Sequence, residues 1–305
     1  MILVFGSANM DLLMEVSKLP AVGETVLCQN YSRQPGGKGA NQAIAASRAG
    51  AQVTFCGALG MDGFGDDLLD NFVEHGVSTD LIRHVDLPTG MAMIGIDDQA
   101  QNMIIVASGA NHALKANTIT SEHFKGIDLV VCQLEVPAEE VLEIFKKAKL
   151  NSVPTLLNFA PAQNVPKELF DYVDILIVNE IELRQVSTYF SFNSSLPVLD
   201  LARALSAQTG CCVVTTLGEK GALLIHKDIG LNQGVLNVQV VDSTGAGDAF
   251  VGVFASCYHQ GLSIALKRAS VAAGLACTKV GAQSALPTKS EIDQEMLRFA
   301  DPVCV

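Results

Sequence analysis

DLVVCQLEVPAEEVLEIFKKAKLNSVPTLLNF, residues 128–159, holds the repeating unit of the chain. Its first seven residues are an apolar run too short for a helix that is apolar all round, which reads as a buried strand. After Pro137, Val141, Leu142, Phe145 and Ala148 share one helical face. TLLNF, residues 155–159, is a second strand of the same kind. Further buried strands are ILVF (2–5), VTFCGAL (53–59), DILIVN (174–179) and CVVTTLG (212–218). After Asp62, another helical face combines Phe64, Leu68, Leu69, Phe72 and Val73. Strand and helix alternate, which predicts an α/β protein with a Rossmann-like, doubly wound, mostly parallel central sheet and helices on both faces.

Two segments depart from that alternation. Residues 12–34 and 89–107 hold strand-like runs without intervening helices, including TGMAMIGID and, after the turn-like DQAQ, NMIIVA. They predict a small antiparallel β lid on one domain spanning residues 1–305. Within the lid, Ala92, Ile94 and Ile96 point one way and Met91 and Met93 the other, so both faces are apolar. A sheet of that kind needs a cover on each face. Ligand and main domain are expected on one face and a second subunit, in a homodimer, on the other.

Of 305 residues, 49% are hydrophobic and 17% charged, which excludes a disordered chain. Twenty basic against 32 acidic residues give a net charge of −12 with no basic run, which argues against nucleic acid as a partner. The eight cysteines lie in apolar surroundings without a C-x-x-C pair and read as reduced thiols. The N-terminus lacks a basic leader and no apolar run approaches the roughly 18 residues of a membrane span, so a cytoplasmic protein is expected.

Four stretches carry candidate chemistry. In DSTGAGDAF (242–250), between the strand-like VLNVQVV and a helix, Gly245 and Gly247 allow a tight turn. The N–H groups of Ala246, Gly247 and Asp248 then face outward as an anion hole, with the Asp248 carboxylate at its rim. The same residues also read as an ordinary N-cap. TLGEKG (216–221) is a turn on its own. Asn179 and Glu182 fit a capping box, and a carboxylate at a strand's carboxyl end also suits magnesium held through water. In GSANMD (6–11), Asn9 and Asp11 either form a turn or share a face able to bind neighbouring hydroxyls of a polyol. PGGKGANQ (35–42) has the spacing of neither a P-loop nor a dinucleotide fingerprint.

Taken in order, Asn9-Met10-Asp11, PGGKGANQ, Asn179-x-x-Glu182, TLGEKG and DSTGAGDAF resemble the ribokinase-like (PfkB-type) sugar kinases over nearly the whole chain. The resemblance implies ATP-dependent phosphorylation of a sugar hydroxyl, with D-ribose as the expected acceptor. It makes Asp248 the catalytic base and Gly245, Ala246 and Gly247 the anion hole. Asn9, Asp11, Gly37, Lys38, Asn41 and Glu135 match sugar-binding positions. Asn179, Thr216, Gly218 and Gly221 match the ATP side, with Gly247 shared, and Glu182 matches the carboxylate that orders Mg2+ through water. Asp242, Thr244, Ala276, Lys279 and Gly281 match loops that bind K+ in relatives activated by it.

Within that resemblance PGGKGANQ becomes a sugar clamp. Gly36 and Gly37 admit the sugar, Asn41 faces its hydroxyls, Ala43, Ala45 and Ala46 allow close helix packing, and Lys38 reaches toward the phosphate. Three departures stand out. Ala285 replaces a serine frequent at the cation site, Ser270 lies where adenine neighbours are expected, and bulky Met10 favours a sugar lacking one hydroxyl. The competing readings are a kinase for 2-deoxyribose, another sugar or a nucleoside, a silent sugar-binding regulator, and an oxidoreductase. The last is disfavoured because no glycine fingerprint follows the first strand.

Overall fold

The structure, a computed structural model, describes residues 1–99 and 101–305; Ala100, in the DQAQ turn, lies outside the described residues. The chain begins with β1 (Ile2–Phe5), β2 (Asn9–Glu15), β3 (Asn30–Gly36) and α1 (Lys38–Arg48). Next come β4 (Val53–Cys56), β5 (Ala58–Gly60), α2 (Gly63–Glu74), β6 (Arg83–Val85), β7 (Gly90–Ile96) and β8 (Asn102–Ala107). Residues 128–159 form β9 (Leu129–Cys132), α3 (Ala138–Leu150) and β10 (Thr155–Asn158). It is followed by β11 (Ile175–Asn179), α4 (Glu180–Thr188), α5 (Val198–Thr209), β12 (Cys212–Thr216), β13 (Ala222–His226) and β14 (Ile229–Gln233). The chain closes with α6 (Ala246–Cys257), α7 (Leu262–Ala276), α8 (Lys289–Met296) and β15 (Val303–Cys304).

Nine strands form the central sheet in the order β15-β14-β13-β12-β11-β10-β9-β1-β4. From β4 to β12 every pairing is parallel, and β13, β14 and β15 add an antiparallel edge. Alternate residues of each strand point to opposite faces, so each strand feeds two cores. Leu3, Phe5, Val130, Leu157 and Leu176 pack with α3, α4 and α5. Ile2, Val4, Val131, Leu156 and Ile177 pack with α1, α2, α6 and α7. Both faces are therefore covered, which is why these strands are continuous apolar runs.

The second sheet has the order β3-β2-β7-β8. It is mixed rather than antiparallel, because β2 and β7 run parallel while the outer pairings are antiparallel. Asn9 and Asp11 lie inside β2, two residues apart on one face, and not in a turn. Two strand readings also change. VTFCGAL divides at Gly57 into β4 and β5, and β5 leaves the central sheet to pair with β6. VLNVQVV forms no strand, and Val240 and Val241 are exposed. Nor does Val73 join the apolar face of α2; Leu68 and Phe72 are buried there while Val73 faces solvent.

Candidate active site

Parallel strands bring their carboxyl ends to one edge of a sheet, where loops from successive strands converge. Ser7 follows β1, Gln133 and Glu135 follow β9, Asn158 ends β10, Asn179 ends β11 and Thr216 ends β12. Helices α1 and α6 cross beside this edge with little between them, because a Cβ on Gly252 of α6 would lie 2.6 Å from Ala45 Cβ. The small residues of α1 allow this approach.

At the start of α1 the chain turns at Gly37, with φ 87°, where a Cβ would meet Asn9 N at 2.7 Å. At Gly36 a Cβ would collide with the Asp11 carboxylate. These two glycines thus make room for β2, which bears the proposed sugar contacts. The helix N–H groups are then consumed inside the protein. Lys38 N donates to Glu135 Oε2 at 2.9 Å, Gly39 N to Ser7 Oγ at 3.3 Å and Ala40 N to the Ser7 carbonyl at 2.8 Å. Ser7 Oγ also donates to Glu135 Oε2 at 2.6 Å.

Helix α6 begins differently. Gly245 adopts the left-handed conformation, φ 75° and ψ −5°, and no side chain caps the helix. Ala246 N donates back to the Ser243 carbonyl at 3.2 Å, so it does not face outward as the sequence reading expects. Gly247 N and Asp248 N meet no acceptor among the described residues, and the space around Gly247 is open. Asp248, only 7% exposed, makes no capping bond to its own helix and is bonded instead by side chains of α1. Asn41 Nδ2 donates to Oδ2 and Gln42 Nε2 to Oδ1, each at 2.9 Å. It is not an N-cap.

Asp11, Glu135, Asp248 and Lys38 are coupled electrostatically. Burial, with the nearby charges of Glu135 and Asp248, pushes the Asp11 carboxyl up to about 7. The Asp248 charge, followed by those of Glu135 and Glu182, holds the Lys38 ammonium above the usual lysine range. Asn9 accepts from Asn111 Nδ2 at 2.7 Å. Met10 points to the opposite face of β2 and is 2% exposed in the core with Leu68 and Phe72, so it cannot shape a sugar pocket facing Asn9 and Asp11. Asn41 is drawn inward as well, accepting from Gln283 Nε2 at 2.9 Å while donating to Asp248. A cavity of about 420 Å³ opens beside Asn9 and Glu135 toward His112 and Gln163.

A second cavity, about 450 Å³, lies beyond the α6 N-terminus. Thr216, Gly218 and Gly221 line one side, Leu236, Val238 and Val240 another, and Ser243, Ala246 and Gly247 its floor. VLNVQVV is thus a pocket wall. A Cβ at Gly221, φ 96°, would strike the Gln233 carbonyl, which explains the glycine ending TLGEKG. Ser270 also faces this cavity, and its buried hydroxyl has no partner. The capping box at α4 is complete: Asn179 Oδ1 accepts from Glu182 N and Glu182 Oε2 from Asn179 N, both at 2.8 Å. Burial raises the Glu182 carboxyl, against the opposing effects of Asn179 and Lys38.

Asp242 ties together the loops implied in potassium binding. Its Oδ1 accepts from Thr244 N at 2.9 Å and Oγ1 at 2.6 Å, and its Oδ2 accepts from Gly281 N at 2.9 Å. Lys279 Nζ instead pairs with Glu291 at 2.8 Å, Ala276 is buried, and so is Ala285. Among the described residues no group of three or more His, Cys, Asp or Glu side chains is placed to hold a metal. Ser7, Gln42, Asn111, Gln133, Asn158 and Gln283 join the site through hydrogen bonds that no motif marks. Gln42 was accessible in principle, as a second polar residue within the otherwise small and apolar face of α1.

This chain belongs to the pfkB family of carbohydrate kinases, whose described domain, "pfkB family carbohydrate kinase", matches residues 1–289. Among its relatives, the ribokinase of Lactococcus lactis is 36% identical over 298 residues, covering 96% of this chain and 96% of that protein. A ribokinase crystal structure from Thermotoga maritima matches with a TM-score of 0.90 at 34% identity, covering 97% of this chain and 99% of the other. Arabidopsis thaliana ribokinase, solved with ribose and ATP, gives a TM-score of 0.89 at 30% identity, covering 98% and 99%.

Proposed function

We propose that the protein transfers the γ-phosphoryl group of ATP to the 5-hydroxyl of D-ribose, yielding ribose 5-phosphate and ADP. The observation that carries this reading is the Asp248 carboxylate, held by two neutral amide donors beside the open N-terminus of α6. The similarity to ribokinases, one of them solved with ribose and ATP, supports the choice of both substrates.

Asp248 accepts the proton of the 5-hydroxyl as its oxygen bonds to the γ-phosphorus and the bond to the β,γ-bridging oxygen breaks. Gly247 N–H, Asp248 N–H and the positive end of α6 face the charge on the transferring group, with the Gly245 turn and Ala246 completing the hole. Lys38 adds its ammonium to the phosphate side. Asn9, Asp11 and Glu135 bind sugar hydroxyls, with the Gly37 turn and Asn41 behind them. ATP occupies the second cavity, its phosphates toward Gly247 and its base against Leu236 and Val238, near Asn179, Thr216, Gly218 and Gly221.

With no cluster of metal-ligating side chains among the described residues, the site suits Mg2+ that would be held by nucleotide phosphates, with Glu182 contributing through water. When bound, the ion neutralises phosphate charge. For K+ the fit is partial, because both Asp242 oxygens already accept hydrogen bonds, Lys279 turns to Glu291 and Ala285 offers no hydroxyl. Backbone carbonyls of these loops remain as ligands, and exchanging potassium for choline measures their contribution.

The four-stranded sheet serves as a lid over the sugar within one catalytic unit. Its exposed Met93, Met103 and Ile105 share the face opposite Asn9 and Asp11, the one expected to pair two subunits. A cytoplasmic setting suits the eight free cysteines, and no described helix is long and apolar enough to cross a membrane. ADP release with ribose, 2-deoxyribose, fructose and adenosine tests the assignment. Ribose is expected to give the highest kcat/KM. Preference for another acceptor overturns the substrate, and no turnover with any sugar supports a silent binder.

A further inference from the structure

Two chains of carboxamide side chains converge on Asp248. In one, Asn71 Nδ2 donates to Gln283 Oε1 at 2.8 Å, Gln283 Nε2 to Asn41 Oδ1 at 2.9 Å, and Asn41 Nδ2 to Asp248 Oδ2. In the other, Gln133 Nε2 donates to Gln42 Oε1 at 2.6 Å, and Gln42 Nε2 donates both to Asp248 Oδ1 and to Asn158 Oδ1, the latter at 3.0 Å. Gln42 is 0% and Gln133 1% exposed, so neither amide has solvent as an alternative partner.

We propose that Gln42 and Gln283 are positioning residues for phosphoryl transfer, fixing the plane of the Asp248 carboxylate so that one lone pair meets the attacking hydroxyl. The inference rests on Asp248 being the base. Each amide is locked by polarity: rotating Gln42 by half a turn would set its oxygen against a carboxylate oxygen and its NH2 against that of Gln133. The same logic orients Asn41, caught between an acceptor and a donor. Both donors to the carboxylate are neutral amides, so its plane is set by hydrogen bonds and not by an ion pair.

The arrangement has costs that packing alone does not explain. Gln133 Oε1 is buried without a partner, and Gly6 must lack a side chain because a Cβ there would collide with that same amide. A leucine at position 133 would avoid that unpaired oxygen but would deprive Gln42 Oε1 of its donor. The bonds also cross from α1 to α6, so the carboxylate is registered against the second helix and not only its own backbone. The Gln283 arm extends this registration to the loop after Gly281.

The experiment compares kcat and ribose KM for the wild type, Gln42→Met, Gln283→Met, Asp248→Asn and the double variant Asp248→Asn/Gln42→Met. Misplacement of a reacting group by about 1 Å costs on the order of 100-fold in rate, so Gln42→Met is expected to lose roughly 10- to 100-fold in kcat. Its ribose KM is expected to stay within about threefold, and its substitution in the Asp248→Asn background to add no further loss. Gln283→Met, one amide further away, is expected to show the same pattern at smaller amplitude, and it carries the test if Gln42→Met does not fold.

An inactive Asp248→Asn beside a Gln42→Met of normal kcat overturns the positioning role and leaves the base intact. An equal loss from Gln42→Met in both backgrounds also overturns it, since general loosening of the fold acts whether or not the base is present. Near-normal turnover in Asp248→Asn removes the base itself, and the relay falls with it.

Discussion

Helices α1 and α6 both begin in glycine-rich loops, yet one start is closed by the protein and the other is left open. At α1, Glu135 and Ser7 consume the N–H groups of Lys38, Gly39 and Ala40. At α6 no side chain caps the helix and the space around Gly247 is empty. The glycines therefore do different work. Those before α1 admit neighbouring protein, Asp11 at Gly36 and β2 backbone at Gly37, whereas Gly247 leaves room for a ligand. A glycine count cannot separate the two, but the destination of each N–H group can.

The largest effect is expected at Asp248. Asp248→Asn removes the base from the open loop and is expected to lower kcat by about 10² to 10⁴ while ribose binding, measured by calorimetry, persists. Turnover near that of the wild type would leave the open loop without its chemistry.

Paired glycine substitutions address the contrast directly. A Cβ on Gly39 would sit 2.5 Å from Ser7 N and 2.7 Å from its carbonyl oxygen, both backbone atoms. Gly39→Ala is thus expected to lose about 1–3 kcal/mol of stability in urea unfolding. Gly247→Ala meets no protein atom and is expected to keep its stability to within about 1 kcal/mol, yet to lose roughly 10- to 100-fold in turnover as its methyl crowds the anion. Reversal of the pair, with the stability loss at Gly247, would contradict the closed-and-open distinction.

Glu182 stands nearer the nucleotide side. Since one of its oxygens is held by the capping box, Glu182→Gln keeps an acceptor for Asn179 N but loses the charge. The Mg2+ concentration giving half-maximal rate is expected to rise about 10-fold or more, with little change in ribose KM. An unaltered Mg2+ requirement would confine Glu182 to capping.

The smallest effect concerns pH on the α1 side. With its carboxyl raised from 3.8 to about 7, Asp11 stays protonated in the folded chain over a window in which the unfolded chain releases the proton. Its contribution to stability therefore declines as pH rises from 3.8 to about 7. Over the same rise its ionised form becomes the stronger acceptor for sugar hydroxyls, and ribose KM is expected to fall several-fold. Asp11→Asn is expected to flatten both slopes, in thermal unfolding and in KM. Asp11→Ala is expected to raise ribose KM throughout.

Much of this architecture was legible from residue pattern. Runs such as LVVC and ILIV are apolar at every position because both faces are buried, and that is visible before any folding. The order of motifs was equally plain, as was the pair of apolar lid faces. VLNVQVV misled because a pocket wall and a buried strand share a composition, and the difference lies in hydrogen-bond partners. Met10 misled for a related reason: adjacent residues of a strand face opposite ways, and only the sheet says which face holds the sugar.

The chain's alternation of apolar strands and amphipathic helices was sufficient for an α/β sheet, because period and burial are local properties of sequence. Its glycines and carboxylates marked the loops that matter. Packing then settled what each loop does. Asn41 and Gln42 meet Asp248 across more than two hundred residues of chain, and Gln283 reaches Asn41 from further still. Such partnerships arise from the crossing of α1 and α6 over the sheet edge. No spacing along the chain encodes which donor faces which carboxylate oxygen.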